Sequence, residues 1–232
     1  MVSYPVDPDA KGLHRVGGTS AVVLFLSYIA ITVLFVLAGP RPSGAQDWLL
    51  YVGRNRAAWW AILALSVLTD FLFLPIALSL YHALRHVNRN LVLAGAGLIA
   101  SFVVLDLAVT WPNYAGLIAL SRGFAADTDS AVRAASLGAA QYATSVLASP
   151  LFSTYAILLP SVGILLVGVV MLHGEFGKVA AYVGIGTGIV GTIAVVGGFF
   201  TDALAVLSII ASVLTTVWAL LVGIRLLQSS RG

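Results

Sequence analysis

The chain has 232 residues, 60% of them hydrophobic and only 9% charged, with a mean hydropathy of +1.02. A soluble domain carries about 25% charged residues, so the composition is that of an all-α polytopic membrane protein and not of a soluble enzyme. The net charge of +3 comes from single basic residues near helix ends, which excludes a nucleic-acid surface, and the lack of cysteine excludes disulfides and thiolate metal sites.

Residues 1–18 are polar, contain Pro5 and Pro8, and read as a cytoplasmic tail. Lys11, His14 and Arg15 precede the first apolar run, residues 19–38. That run exceeds the apolar core of a secretory signal, about 7–15 residues, and reads as an uncleaved first span. Residues 39–56 read as a loop with Pro40, Pro42, Gly44 and Gly53. Trp48, Tyr51, Trp59 and Trp60 across its end form an aromatic belt of the kind found at a water–lipid boundary. The second span covers 57–84, with Pro75 inside it, and a short basic turn at 85–90 leads to the third, 91–111. Trp111-Pro112 is expected to stop or kink that span, because proline removes a backbone donor and crowds the preceding turn.

Residues 112–150 read as a partly helical extracytoplasmic segment, in which Asp129 caps a weakly amphipathic helix over 130–148. Three more spans follow, near 151–172, 179–200 and 203–227, separated by tight turns. Each is close to the roughly 20 apolar residues that cross a hydrocarbon core. The whole reads as six transmembrane helices in one bundle, residues 19–228. Orientation follows from the basic residues. Lys11, Arg15, Arg85, Arg89, Lys178, Arg225 and Arg231 fall on one side, and Arg41, Arg54, Arg56, Arg122 and Arg133 on the other. The first group crowds into short turns, which places both termini on the cytoplasmic face of a cell membrane.

Two carboxylates interrupt the apolar sequence, Asp70 in the second span and Asp106 in the third. An acid at the centre of a membrane helix costs about 2.5–3.5 kcal/mol on insertion scales and by default marks a functional site. Measured from the expected turn, the two differ in depth by only about 3 Å at 1.5 Å per residue. Antiparallel neighbours would bring them to one level, where two close carboxyls share a proton more cheaply than both ionise. Ser66, Thr69, Ser101 and Thr110 are the nearby hydroxyls expected to bond them. The bland alternative is two separate acids that only assist packing.

Other motifs carry less. Residues 186–191 spell Gly-x-Gly-x-x-Gly, but inside an apolar span and without a βαβ unit, so a dinucleotide site is rejected. Gly184, Gly188 and Gly191 share one helix face and suit close helix packing, within the bundle or against a partner. His82 and His86 are one turn apart, and with Asp106 or Glu175 they suggest metal. The stronger reading is a basic helix end matched to the helix dipole. No metal or cofactor is therefore expected. No Gly-x-Ser-x-Gly elbow is present, and no lysine lies within a span to form a Schiff base.

The run Leu80-Tyr81-His82-Ala83-Leu84-Arg85-His86-Val87-Asn88-Arg89 resembles the L-Y-x-x-L-(R/K)-x-V-N-(R/K) signature of bacterial six-helix membrane proteins, the domain of unknown function family 4386. Leu80, Tyr81, Leu84, Arg85, Val87, Asn88 and Arg89 match it, and an acid upstream, like Asp70, also fits. His86 stands where the family usually has proline. The resemblance implies a six-helix bundle and no particular activity; within it, His82, His86, Arg85 and Asn88 are secondary site candidates.

Three functional classes remain. The first is a protein that binds or transports a proton or a small ligand at the carboxylate pair. The second is an intramembrane lipid-modifying enzyme using the same acids and a histidine, and the third is a structural or regulatory subunit. The partners these readings allow are the lipid bilayer, a small molecule or lipid inside the bundle, and a second copy or other membrane protein.

Overall fold

The computed structural model describes residues 8–124, 128–174 and 176–231. All of the described secondary structure is helical. Five stretches are long and apolar enough to cross a membrane: Lys11–Ala38, Arg56–Phe124, Pro150–Met171, Lys178–Gly198 and Val206–Ser229.

Helix α1, Pro8–Ala38, begins well before the expected first span, so the tail is helical from Pro8 onward. The expected loop after it holds a short helix, α2, Ala45–Arg54. Its amphipathic pattern buries Ala45, Leu49 and Val52 on one face, a period that proline-based loop reading overlooks.

The longest stretch is a hairpin. Helical geometry runs through Arg56–Leu105 except at Asn88, where φ is −154° and ψ 92°. In a straight helix residues 73 and 102 would lie about 44 Å apart; here the rings of Phe73 and Phe102 meet edge to face at 5.6 Å. The chain therefore reverses at Asn88, and its arms are α3 (residues 56–87) and α4 (residues 89–124). The six-residue turn expected at 85–90 contracts to this one residue. Asn88 Oδ1 accepts from the Leu91 N–H at 3.1 Å, the side-chain cap that starts a new helix.

Nor does α4 stop at Trp111. It continues to Phe124 through a π-helical turn, Asp106–Thr110, closed by the Trp111 N–H on the Asp106 carbonyl. Proline 112 has no N–H and its ring crowds the carbonyl four residues back. The widened turn absorbs that conflict, and Asn113 Nδ2 donates to the Val109 carbonyl at 2.7 Å. Helix α5, Ser130–Leu147, is capped by Asp129, whose carboxylate accepts from the Ala131 N–H. Helix α6, Pro150–Met171, has its own π-helical turn, Thr154–Leu158, again two residues before a proline, Pro160. Helices α7, Lys178–Gly198, and α8, Val206–Ser229, complete the bundle.

Helix α1 lies against the hairpin and α8, α6 against the hairpin and α7, and α7 against α8. Ser229 Oγ and His14 Nδ1 are 3.1 Å apart, so the start of α1 and the end of α8 share one end of the bundle. Two cores result. One, at the end where α1 starts and α8 ends, draws on α1, α3, α4, α6, α7 and α8 and includes Phe73, Val103, Ile164, Trp218 and Val222. The other draws on α1 to α5 and includes Ile62, Trp59, Tyr114, Leu117 and Ala140. Tyr28 packs against both.

Candidate functional site

Asp70 lies on α3 between Ile62 of one core and Phe73 of the other; Asp106 lies on α4 between Val103 and Tyr114. Both acids therefore sit at the seam. They are also equally far from the reversal, eighteen residues on either side of Asn88. Asp70 is 2% exposed and Asp106 5%. Tyr28 of α1 packs against both cores and so reaches the same seam.

Their hydrogen bonding differs. Trp111 Nε1 donates to Asp70 Oδ2 at 2.6 Å. A helical side chain leans toward the N-terminus of its helix, so Trp111 reaches back from beyond the π-turn to the level of Asp70. Asp106 is the first residue of that turn, and its Oδ1 is buried without a hydrogen-bond partner. A buried acceptor left unpaired costs about 1–3 kcal/mol, more if charged. At the other end of the turn the hydroxyls of Thr110 and Tyr155 meet at 3.0 Å. Tyr155 belongs to the π-turn of α6. The two irregular turns are thus tied to each other beside the acids, and such turns are frequent at functional sites.

The remaining expected hydroxyls divide. Thr69 is buried, but its Oγ1 donates to the Ser66 carbonyl at 2.7 Å, within its own helix. Ser66 is buried one turn from Asp70. Ser101 is exposed and outside the group. It precedes Asp106 by five residues, which turns it about 140° around the helix axis at 3.6 residues per turn. Trp111, Tyr155 and Tyr28 were not among the expected site residues. Trp111 read as a span end and the two tyrosines as part of apolar runs; only their polar tips in mid-span sequence signalled more.

The secondary candidates lie elsewhere. Asn88 caps α4 and Arg85 and His86 are exposed. His82 meets His14 edge to face at 6.0 Å. Among the described residues no group of three or more His, Asp or Glu could hold a metal; Glu175 lies outside them. Gly184, Gly188 and Gly191 are buried toward α6 and α8. A methyl on Gly188 would come within 2.7 Å of the Ser161 carbonyl, and one on Gly184 within 2.7 Å of Trp218 Nε1. Two surface cavities, of about 330 and 440 Å³, flank the bundle, and neither is lined by Asp70 or Asp106.

These features define a class, an all-helical bundle with membrane-length apolar helices and a polar seam between two cores. Beyond the class, the chain matches no family model, no curated protein and no solved structure.

Proposed function

We propose that this is a six-span membrane protein which binds, and through binding can translocate, a proton or small monovalent cation at Asp70 and Asp106. The observation that carries the proposal is the buried Asp106 Oδ1, without a hydrogen-bond partner, at the start of a π-turn in mid-span. Ionised, Asp106 would leave charge and an open acceptor in the bundle; a proton or cation at that oxygen removes both penalties. Asp70 is 2% exposed and Asp106 5%, which favours an occupant this small over an organic ligand. The freed backbone of a π-turn in a membrane helix is tolerated where it is buried in protein and neighbouring helices, hydroxyls or water satisfy it.

The span count rests on geometry and parity. The start of α1 and the end of α8 share one end of the bundle, which supports an even number of crossings between them. Counting the hairpin as two spans gives six, as in the bacterial family that the residues around Asn88 resemble. The distribution of basic residues then favours cytoplasmic termini. Cysteines at Ser43 and Ser229 test this in intact cells: an impermeant thiol reagent should label only the first. Labelling of the second alone would overturn the orientation.

The chemical test is infrared spectroscopy of the protein in liposomes during a pH titration. A protonated carboxyl band should be present, and Asp106→Asn should remove it or shift it. If the band is absent and cation addition changes no carboxylate band, the binding reading fails.

A further inference from the structure

The cavity of about 330 Å³ opens at the end of the bundle where α1 starts and α8 ends, between the start of α7 and the last turns of α8. Its polar wall is Lys178, Arg225, Gln228 and the backbone at Gly177; Val179 and Ile224 belong to its apolar wall. Gly177 precedes α7 with φ at 82°, and no side chain caps the helix. A methyl on Gly177 would lie 2.9 Å from Arg225 Nη2, so the guanidinium rests against the start of α7.

The charge arrangement is the reverse of the ordinary one. A helix N-terminus carries about half a positive charge and is normally met by Asp or Glu. The first turn of α7 has no acid, Lys178 is its first residue, and Arg225 is brought to it from α8. Among the described residues neither cation has an ion pair or a side-chain hydrogen bond. Two cations and a helix start therefore repel one another around an open cavity, an arrangement complementary to an anion. The apolar wall continues outward: Val179 is 67% exposed and Ile224 42%, and Tyr182 and Val217 extend these surfaces along α7 and α8.

Given the membrane placement argued above, we infer that this cavity binds the phosphate headgroup of an anionic phospholipid, with Lys178 and Arg225 on the phosphate and the acyl chains along Val179 and Ile224. Basic pockets between membrane helices take anionic headgroups in this way. Free phosphate shares the headgroup chemistry but has no use for the apolar wall.

The test uses the full chain in neutral detergent, titrated separately with dioctanoyl phosphatidylglycerol, dioctanoyl phosphatidylcholine and inorganic phosphate. Thermal midpoint and native mass spectrometry are the readouts. Phosphatidylglycerol should raise the midpoint saturably and appear as a bound adduct, and phosphatidylcholine should do neither. The double variant Lys178→Gln, Arg225→Gln should weaken binding by about tenfold or more, the loss of two charge-assisted contacts. Lys11→Gln with Arg231→Gln, which removes equal charge nearby, should leave binding unchanged. Val179→Glu suits the second position of a helix, so it should fold, and it should abolish binding by placing an anion at the mouth. Equal binding by the Lys178, Arg225 double variant and wild type, or an equal loss in the Lys11, Arg231 control, overturns the site. An effect of inorganic phosphate as large as that of the lipid overturns the lipid and leaves a free-anion site.

Discussion

The two cores solve the same packing problem in opposite ways. In the α1–α5 core, rings fill the space: Trp59 stacks on Tyr114 at 5.3 Å, Tyr114 on Trp111 at 5.7 Å, and Trp48 meets Trp59 at 5.5 Å. In the core where α1 starts and α8 ends, rings such as Phe73, Phe102 and Trp218 are present too, but there glycines also bring backbones together. A methyl on Gly95 would lie 2.8 Å from the Gly163 carbonyl oxygen, and the reverse holds at the same distance. Gly168 approaches the Ala181 carbonyl and Gly188 the Ser161 carbonyl in the same manner. Lipid is as apolar as leucine, so helices associate by contact and polar bonds more than by hydrophobic force. Rings hold helices apart and glycines draw them together. Between the two regions the spacing must change, and there α4 and α6 have their π-turns and the chain places Asp70 and Asp106.

This contrast predicts opposite mutational responses. Gly188→Leu should be the most damaging change, because its side chain meets the Ser161 carbonyl and Leu165. A loss well above the roughly 1–3 kcal/mol of ordinary overpacking is expected, since backbone is the obstacle. An unchanged thermal midpoint in detergent would show that α7 does not depend on close approach. Trp59→Ala should cost about 3–5 kcal/mol by leaving a cavity among rings. If Trp59→Ala is mild and Gly188→Ala is not, both cores depend on backbone approach and the contrast is lost.

The seam should respond more weakly and through specific bonds. Thr110→Val and Tyr155→Phe, measured singly and together, should give a coupling of about 0.6 kcal/mol, the average for polar bonds between membrane helices, and no more than about 1.7 kcal/mol. Zero coupling would mean that the two π-turns merely adjoin. Trp111→Phe removes the donor to Asp70 and should destabilise by about 1–3 kcal/mol if the carboxyl is left unpaired. Restoration of stability by adding Asp70→Leu would identify the orphaned acid as the cause. Ser101→Ala, on the exposed face, should change stability by less than about 0.5 kcal/mol.

Much of the fold is written in the local sequence. Runs of apolar residues must be helical in a membrane, because every backbone donor and acceptor must be satisfied within its own segment. Asp129 and Asn88 carry their capping chemistry wherever the chain goes. Helix α2 was missed because Pro40, Pro42 and Gly44 belong to its approach and not to the helix itself. Proline 112 marks a stop or a kink in the sequence, and its conflict with a regular helix has more than one resolution. A break and a π-turn both relieve it, and neighbouring helices choose between them.

The acids show the division most clearly. That Asp70 and Asp106 are costly, and equally distant from a turn, is a property of composition and spacing alone. That Trp111 bonds Asp70 while Asp106 keeps an open oxygen is seen only in the structure; the extra residue in the π-turn rotates Trp111 and everything beyond it. Ser101, near in sequence, is exposed, while Tyr155, distant in sequence, is brought to Thr110 by α6, and Tyr28 of α1 packs against both cores. Sequence determined which residues are expensive to bury, because that cost is a local property of each side chain. Tertiary structure alone decided which of them meet, because the helical phase of each face depends on turns whose form is set by the helices packed against them.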